Sequence, residues 1–149
     1  MAPLSGQECV SAVARLRRAA RVRGWDVVPV RYLRLDRSDG GPEGEAAFAE
    51  GLEPDTHDLV VTKYGLSAFA GTGLSGQLPV GSHLVVAGVA TEAGVMASVL
   101  DALTDHSVSV VVDAVTRGSE AGHSEALQRM EAAGASMIRL REILGESSA

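Results

Sequence analysis

Residues 83–112 read HLVVAGVATEAGVMASVLDALTDHSVSVVV, and their pattern decides the fold class. His83–Gly88 is an apolar run rich in β-favouring residues. Residues 92–105 place Val95, Met96, Val99, Leu100 and Leu103 at helical spacing, with Thr91 positioned to cap that helix. Val108–Val112, apolar but for Ser109, predicts a buried strand. Strand, helix and strand in that order predict an α/β fold with a parallel sheet covered on both sides.

Outward from this unit the same alternation continues. Val10, Val13, Leu16 and Ala20 predict an amphipathic helix that starts at Ser5 or Ser11 and stops at Gly24, followed by a strand over Val27–Leu33. Residues 36–45 combine turn formers and charge without periodicity, which predicts a long loop. A short strand at Leu59–Thr62, a glycine-rich irregular stretch over Gly65–Gly81, a helix over Ser119–Ala133 capped by Ser119, a strand at Ser136–Ile138 and a last turn at Arg139–Leu144 complete the chain. The expected architecture is three-layer, a parallel sheet covered on both faces, in one domain over residues 1–149 with neither repeats nor a linker. Ligands in such folds sit at the carboxyl ends of the strands. The loops after Leu33, Thr62, Gly88 and Val112 should then converge, carrying Asp36 and Asp39, Lys63, Ala90–Gly94, and Asp113.

The chain has 149 residues, 46% hydrophobic, enough to bury a core. Its formal net charge of −6 argues against an extended phosphate-binding surface and so against nucleic acid. Charge is nonetheless uneven: eight arginines against three acids give residues 1–37 a net +5, and the remainder carries −11. Arg15, Arg17, Arg18, Arg21 and Arg23 read as the polar face of the first helix rather than as a nucleic-acid arm. Of the thirteen basic residues only Lys63 is lysine. The single Cys9 cannot form an internal disulfide, and no Cys/His spacing suggests zinc, so a reducing, cytoplasmic setting is expected. No apolar run approaches the roughly 18 residues of a membrane span.

Asp58–Leu74, DLVVTKYGLSAFAGTGL, followed by Leu84–Val95, LVVAGVATEAGV, resembles the isochorismatase-like superfamily, which includes nicotinamidases and other cysteine hydrolases. The resemblance continues through Ser98, Asp101-Ala102, Asp113-Ala114 and His123–Leu127 to Gly134-Ala135. It implies a doubly wound sheet and a site built from an Asp, a Lys and usually a Cys, with a non-proline cis peptide beside an oxyanion hole. Lys63 matches the family lysine, Val89–Ala90 the cis peptide, and the N–H groups of Ala90 and Gly94 the oxyanion donors. Gly94 stands at the nucleophile position, which excludes a thiolate mechanism there. The family's first strand and its Asp have no counterpart in Met1–Gly6, so that strand is expected to be missing. In its place the strand ending at Leu33 would close against the one ending at Gly88, or a second subunit would fill the gap.

Lys63, Ala90 and Gly94 are therefore the expected catalytic groups, with Tyr64, Phe69, Val89, Thr91, Asp36 and Asp113 around a substrate. Asp113 also has a structural reading. His57, His83, His106 and His123 are expected to be structural, with His83 and His106 on outer faces. Cys9 is expected to be a buried thiol, Ser67 to order the lysine loop, and Trp25 to pack the helix–strand corner. The leading functional reading is a divergent isochorismatase-like enzyme acting on a small anionic or cyclic metabolite without a covalent intermediate, in specialised metabolism. The alternatives are a repurposed isomerase or cyclase and a catalytically silent binding protein. The expected partners are a small-molecule substrate and further copies of the chain, with no nucleic acid, membrane, metal or cofactor.

Overall fold

A computed structural model of the chain describes residues 6–32, 52–63, 65–89, 91–116 and 120–145, without the side chains of Gly6, Tyr32, Val89, Thr91, Glu92 and Glu120. The loop over 36–45, Tyr64, Ala90 and the Ser119 cap lie outside the described residues. Helix α1 covers Gly6–Val22, strand β1 Val30–Tyr32 and strand β2 Val61–Lys63. A short helix α2 over Leu74–Gln77 interrupts the glycine-rich stretch before strand β3, His83–Val89. A wide π turn over Thr91–Val95 leads into α3, Met96–Ala102. Strand β4 is Ser107–Thr116, α4 Glu120–Ala132, β5 Ser136–Ile138 and α5 Leu140–Leu144.

The local chemistry explains most of these boundaries. Gly24 ends α1 at φ 72°, where the N–H groups of Gly24 and Trp25 satisfy the carbonyls of Arg21 and Ala20. Thr91 is the first residue of the π turn rather than the residue ahead of the helical segment, and its expected capping side chain lies outside the described atoms. At α5 the backbone N–H of Arg139 donates to Glu142 Oε2 at 2.6 Å, and Asp113 Oδ1 accepts from Leu140 N at 2.8 Å. That second bond follows from β4 running ten residues, so that Asp113 lies inside the strand and not in a loop after Val112.

Strands β3, β4 and β5 form one parallel sheet in that order, and β1 pairs in parallel with β2 in another. The larger sheet has a core on each face, as an all-parallel sheet requires. Val95 and Val99 with Met130 and Ala126 of α4 pack on one side, and Leu16 and Ala19 of α1 with Leu140 and Ile143 of α5 on the other. A smaller core of Val61, Ala68 and Leu74 lies under β2. Between β3 and β4 the register breaks: Val86 faces Val110 but Gly88 faces Val115, with Gly88 at φ 129°, a conformation that favours glycine.

The expected closure of β1 against β3 does not occur. Among the described residues β1 pairs only with β2 and β3 only with β4. Helix α1 packs on β3 and β4, and its Arg21 forms a bidentate pair with Asp58 at 3.0 and 2.9 Å just ahead of β2. The two sheets are thus joined through a helix. His106 is a second correction: at the turn from α3 into β4 it is 8% exposed, packed beside Phe69 at 6.4 Å between ring centroids. Its backbone N–H donates to Ala102 O at 2.9 Å, which closes the end of α3.

Candidate active site

Lys63 is the last residue of β2, so its side chain leaves the sheet at a carboxyl end, and Gly94 lies in the first helical turn after β3. Those two elements bring the residues together across 31 positions of chain. A β-carbon built on Gly94 would lie 2.6 Å from Lys63 Nζ and 3.3 Å from the Leu66 carbonyl oxygen. The lysine head group therefore occupies the space that a side chain at position 94 would need. Lys63 Nζ donates to Leu66 O at 2.6 Å, an interaction within the loop that follows β2. Partial burial lowers the Lys63 pKa from the ordinary lysine range. Among the described residues no carboxylate reaches ion-pair distance to offset that cost.

An ammonium carries three donors, so one bond to Leu66 O leaves two for a ligand oxygen. The helix that begins at Thr91 directs the positive end of its dipole toward this turn. The combination suits a negative or partly negative oxygen rather than a cation.

The supporting loop is fixed by hydroxyls. Ser67 is buried and its Oγ accepts from Phe69 N at 3.1 Å; Ser98 Oγ, from α3, accepts from Ala68 N at 2.8 Å. Thr72 Oγ1 donates to Ala68 O at 2.5 Å and accepts from Leu74 N at 3.2 Å. These bonds tie the segment after Lys63 to α3 and so hold Leu66 O against the lysine. Ser67 had been legible as a loop-ordering residue. The role of Leu66 had not, because it acts through a backbone carbonyl that any residue type supplies.

The other expected site residues fall differently. Phe69 packs between the α3–α4 core and the small β2 core. Asp113 has one carboxylate oxygen engaged by the start of α5. Val89 and Thr91 flank the turn that carries Gly94, as backbone only, while Tyr64, Ala90, Asp36 and Asp39 lie outside the described residues. Cys9 is 3% exposed, its Sγ donating to Ala114 O at 3.5 Å, and burial pushes its thiol pKa up. Such a thiol is poorly reactive. His83 bridges Ser107 Oγ at 2.6 Å and Ser109 Oγ at 2.9 Å at the starts of β3 and β4, the end of the sheet away from Lys63. His123 is buried in α4. Trp25 is 42% exposed, with the Arg23 guanidinium 5.7 Å from its ring centroid. No helix among the described residues is long and apolar enough to cross a membrane, and no described cluster of His, Cys, Asp and Glu has metal-binding proximity.

Comparison with known proteins gives this geometry a family. Among solved structures the chain is similar to an isochorismatase family protein from Burkholderia thailandensis, at 29% identity over 95% of this chain and 84% of that one with a TM-score of 0.82. It is similar to another from Desulfovibrio vulgaris subsp. vulgaris str. Hildenborough, at 28% identity, 93% and 85% coverage and a TM-score of 0.80. N-carbamoylsarcosine amidase from Thermoplasma acidophilum shares the fold, at 21% identity, 91% and 84% coverage and a TM-score of 0.76. No curated protein matches the chain. The family model for the Isochorismatase domain matches residues 3–142, and with the parallel α/β architecture and the lysine at the end of β2 this places the chain in the isochorismatase-like hydrolase family.

Proposed function

We propose that the protein is a divergent enzyme of this family that acts on a small anionic or cyclic metabolite without a covalent intermediate. The observation that carries this reading is the position of Lys63 Nζ, in the space above Gly94 that a nucleophilic side chain would fill. Lys63 then binds and polarises a substrate oxygen, and the backbone N–H groups of Ala90 and Gly94 complete the oxyanion site. Preorganised donors of this kind need no thiolate to stabilise developing negative charge. The reading also takes the chain as a homo-oligomer: among the described residues β1 and β3 each keep an edge without a ladder partner, and natural proteins pair or cover such edges. Light scattering that returns the monomer mass removes that part.

The test of the site is a ligand screen of small cyclic carboxylates followed by Lys63→Ala. A ligand whose affinity falls about tenfold or more in the variant, with an unchanged circular dichroism spectrum, supports the assignment. Equal affinity in both proteins, or robust hydrolysis of nicotinamide, overturns it.

A further inference from the structure

One turn of helix touches the loop after β2 at two points. Gly94 and Ser98 are four residues apart in the continuous helical run from Thr91 to Ala102, about 6 Å along its axis and on one face. Leu66 O lies 3.3 Å from where a β-carbon of Gly94 would stand, and Ala68 N donates to Ser98 Oγ at 2.8 Å. The loop therefore runs along the helix, with Leu66 beside Gly94 and Ala68 beside Ser98.

The second contact differs from the other bonds of the loop. Those of Ser67 with Phe69, Thr72 with Ala68 and Leu74 with Thr72 close within it, over two to four residues. Ala68 to Ser98 spans 30 residues, and among the described residues it is the hydrogen bond that fastens the loop to α3. Ala68 is buried and its carbonyl is taken by Thr72, so Ser98 is what keeps its N–H paired. Without that acceptor a buried donor is unsatisfied, and the loop relieves it by moving. Leu66, two residues upstream, moves with it. The ammonium follows, because Leu66 O is the acceptor that holds it. Ser98 itself has a firm base, next to Val99 in the core of the larger sheet.

We infer that Ser98 is a positioning residue for Lys63: through Ala68 N it holds the Leu66 carbonyl against the ammonium, which keeps Nζ over Gly94 with two donors left for a ligand oxygen. The inference rests on the reading of Lys63 as the ligand-binding group. Gly94 acts on the same group, since a methyl there would meet Nζ at 2.6 Å and the flexible head group would give way. Ser98 handles no proton in this role; it sets where the charge stands.

Lys63 is the only lysine of the chain, so isotopic labelling of lysine Cε gives one side-chain NMR signal whose pH titration reports Nζ directly. Burial holds the wild-type midpoint below the ordinary lysine range. In Ser98→Ala the midpoint should rise toward the ordinary value as Nζ swings into water. Ser98→Thr, which keeps the hydroxyl acceptor, should restore it. Gly94→Ala, with the Ser98 bond intact, should also raise it, and the double variant should show less than the sum of the two shifts, because both act on one head group. Ser82→Ala, which loses a bond to Pro79 O ahead of β3, should leave the midpoint unchanged. An unchanged or lowered midpoint in Ser98→Ala overturns the inference, as do shifts that add in the double variant. So does a Ser98→Thr protein that behaves like Ser98→Ala, which would assign the effect to packing. No ligand enters this measurement, so its failure is distinct from a failure of the ligand screen that tests Lys63.

Discussion

Lys63 carries a cost that no carboxylate among the described residues offsets. Burial lowers its pKa, which means that the folded protein holds the proton less tightly than the unfolded chain does. The penalty is complete below the folded-state pKa. Between that value and the ordinary lysine range the unfolded chain binds more protons, so folding stability rises with pH across this window. Lys63→Met removes the charge and keeps the stem. Urea unfolding should therefore show Lys63→Met more stable than the wild type at pH 7, with the difference shrinking as pH climbs toward the ordinary lysine value. A gap independent of pH would mean that the ammonium is not the source of the cost. A residue retained at such a cost in a chain whose other basic side chains are all arginine was visible from composition alone. Its contact with Gly94 was not, since two residues 31 apart, one at the end of β2 and one after β3, meet only in the folded chain.

At the scale of elements, the junction of α3 and β4 holds an imidazole whose two nitrogens are buried and have no hydrogen-bond partner among the described residues. Leaving such groups unpaired costs on the order of 1–3 kcal/mol. His106→Leu should raise the urea midpoint by an amount equivalent to about 1 kcal/mol without changing the m-value. A lowered midpoint would show that the ring is satisfied by a group other than Phe69 and its neighbours. Histidine after a helix reads as a surface residue because hydropathy ranks it polar. Burial here depends on Phe69, 37 positions earlier, which no local pattern reveals. The core helices were more legible: Val95 and Val99 face the sheet as their spacing predicts, and β5 matches its expected span. Strand β4 runs on past Val112 because the register break lets Val115 and Thr116 rejoin β3 at Gly88 and Val89, a feature of pairing rather than of periodicity.

Across the whole molecule, one link between the two sheets is an ion pair. Arg21 reaches from α1 to Asp58, and this hydrogen-bonded pair holds the Asp58 carboxyl below the usual carboxylate range. Its contribution is present above the ordinary aspartate pKa and is lost as pH falls through the lowered value. Arg21→Ala should reduce Tm by about 2–4 °C at pH 7. The same substitution should matter less as pH falls and Asp58 takes up its proton, so thermal melts of both proteins from pH 7 downward decide the point. A drop that stays equal across the series would move the effect from the ion pair to packing by the arginine stem. The parallel α/β class was readable from the alternation of apolar runs with helical spacing. The break between β1 and β3 was not, because it depends on which edges meet.

The thiol of Cys9 lies under α1, donating to the Ala114 carbonyl of β4, and the chain has no other cysteine. A modifying reagent can reach that sulfur only when the helix lifts from the larger sheet. Cys9 is therefore a native stopwatch for α1: its labelling rate in native buffer counts the openings of the helix that spans both sheets, with no engineered probe.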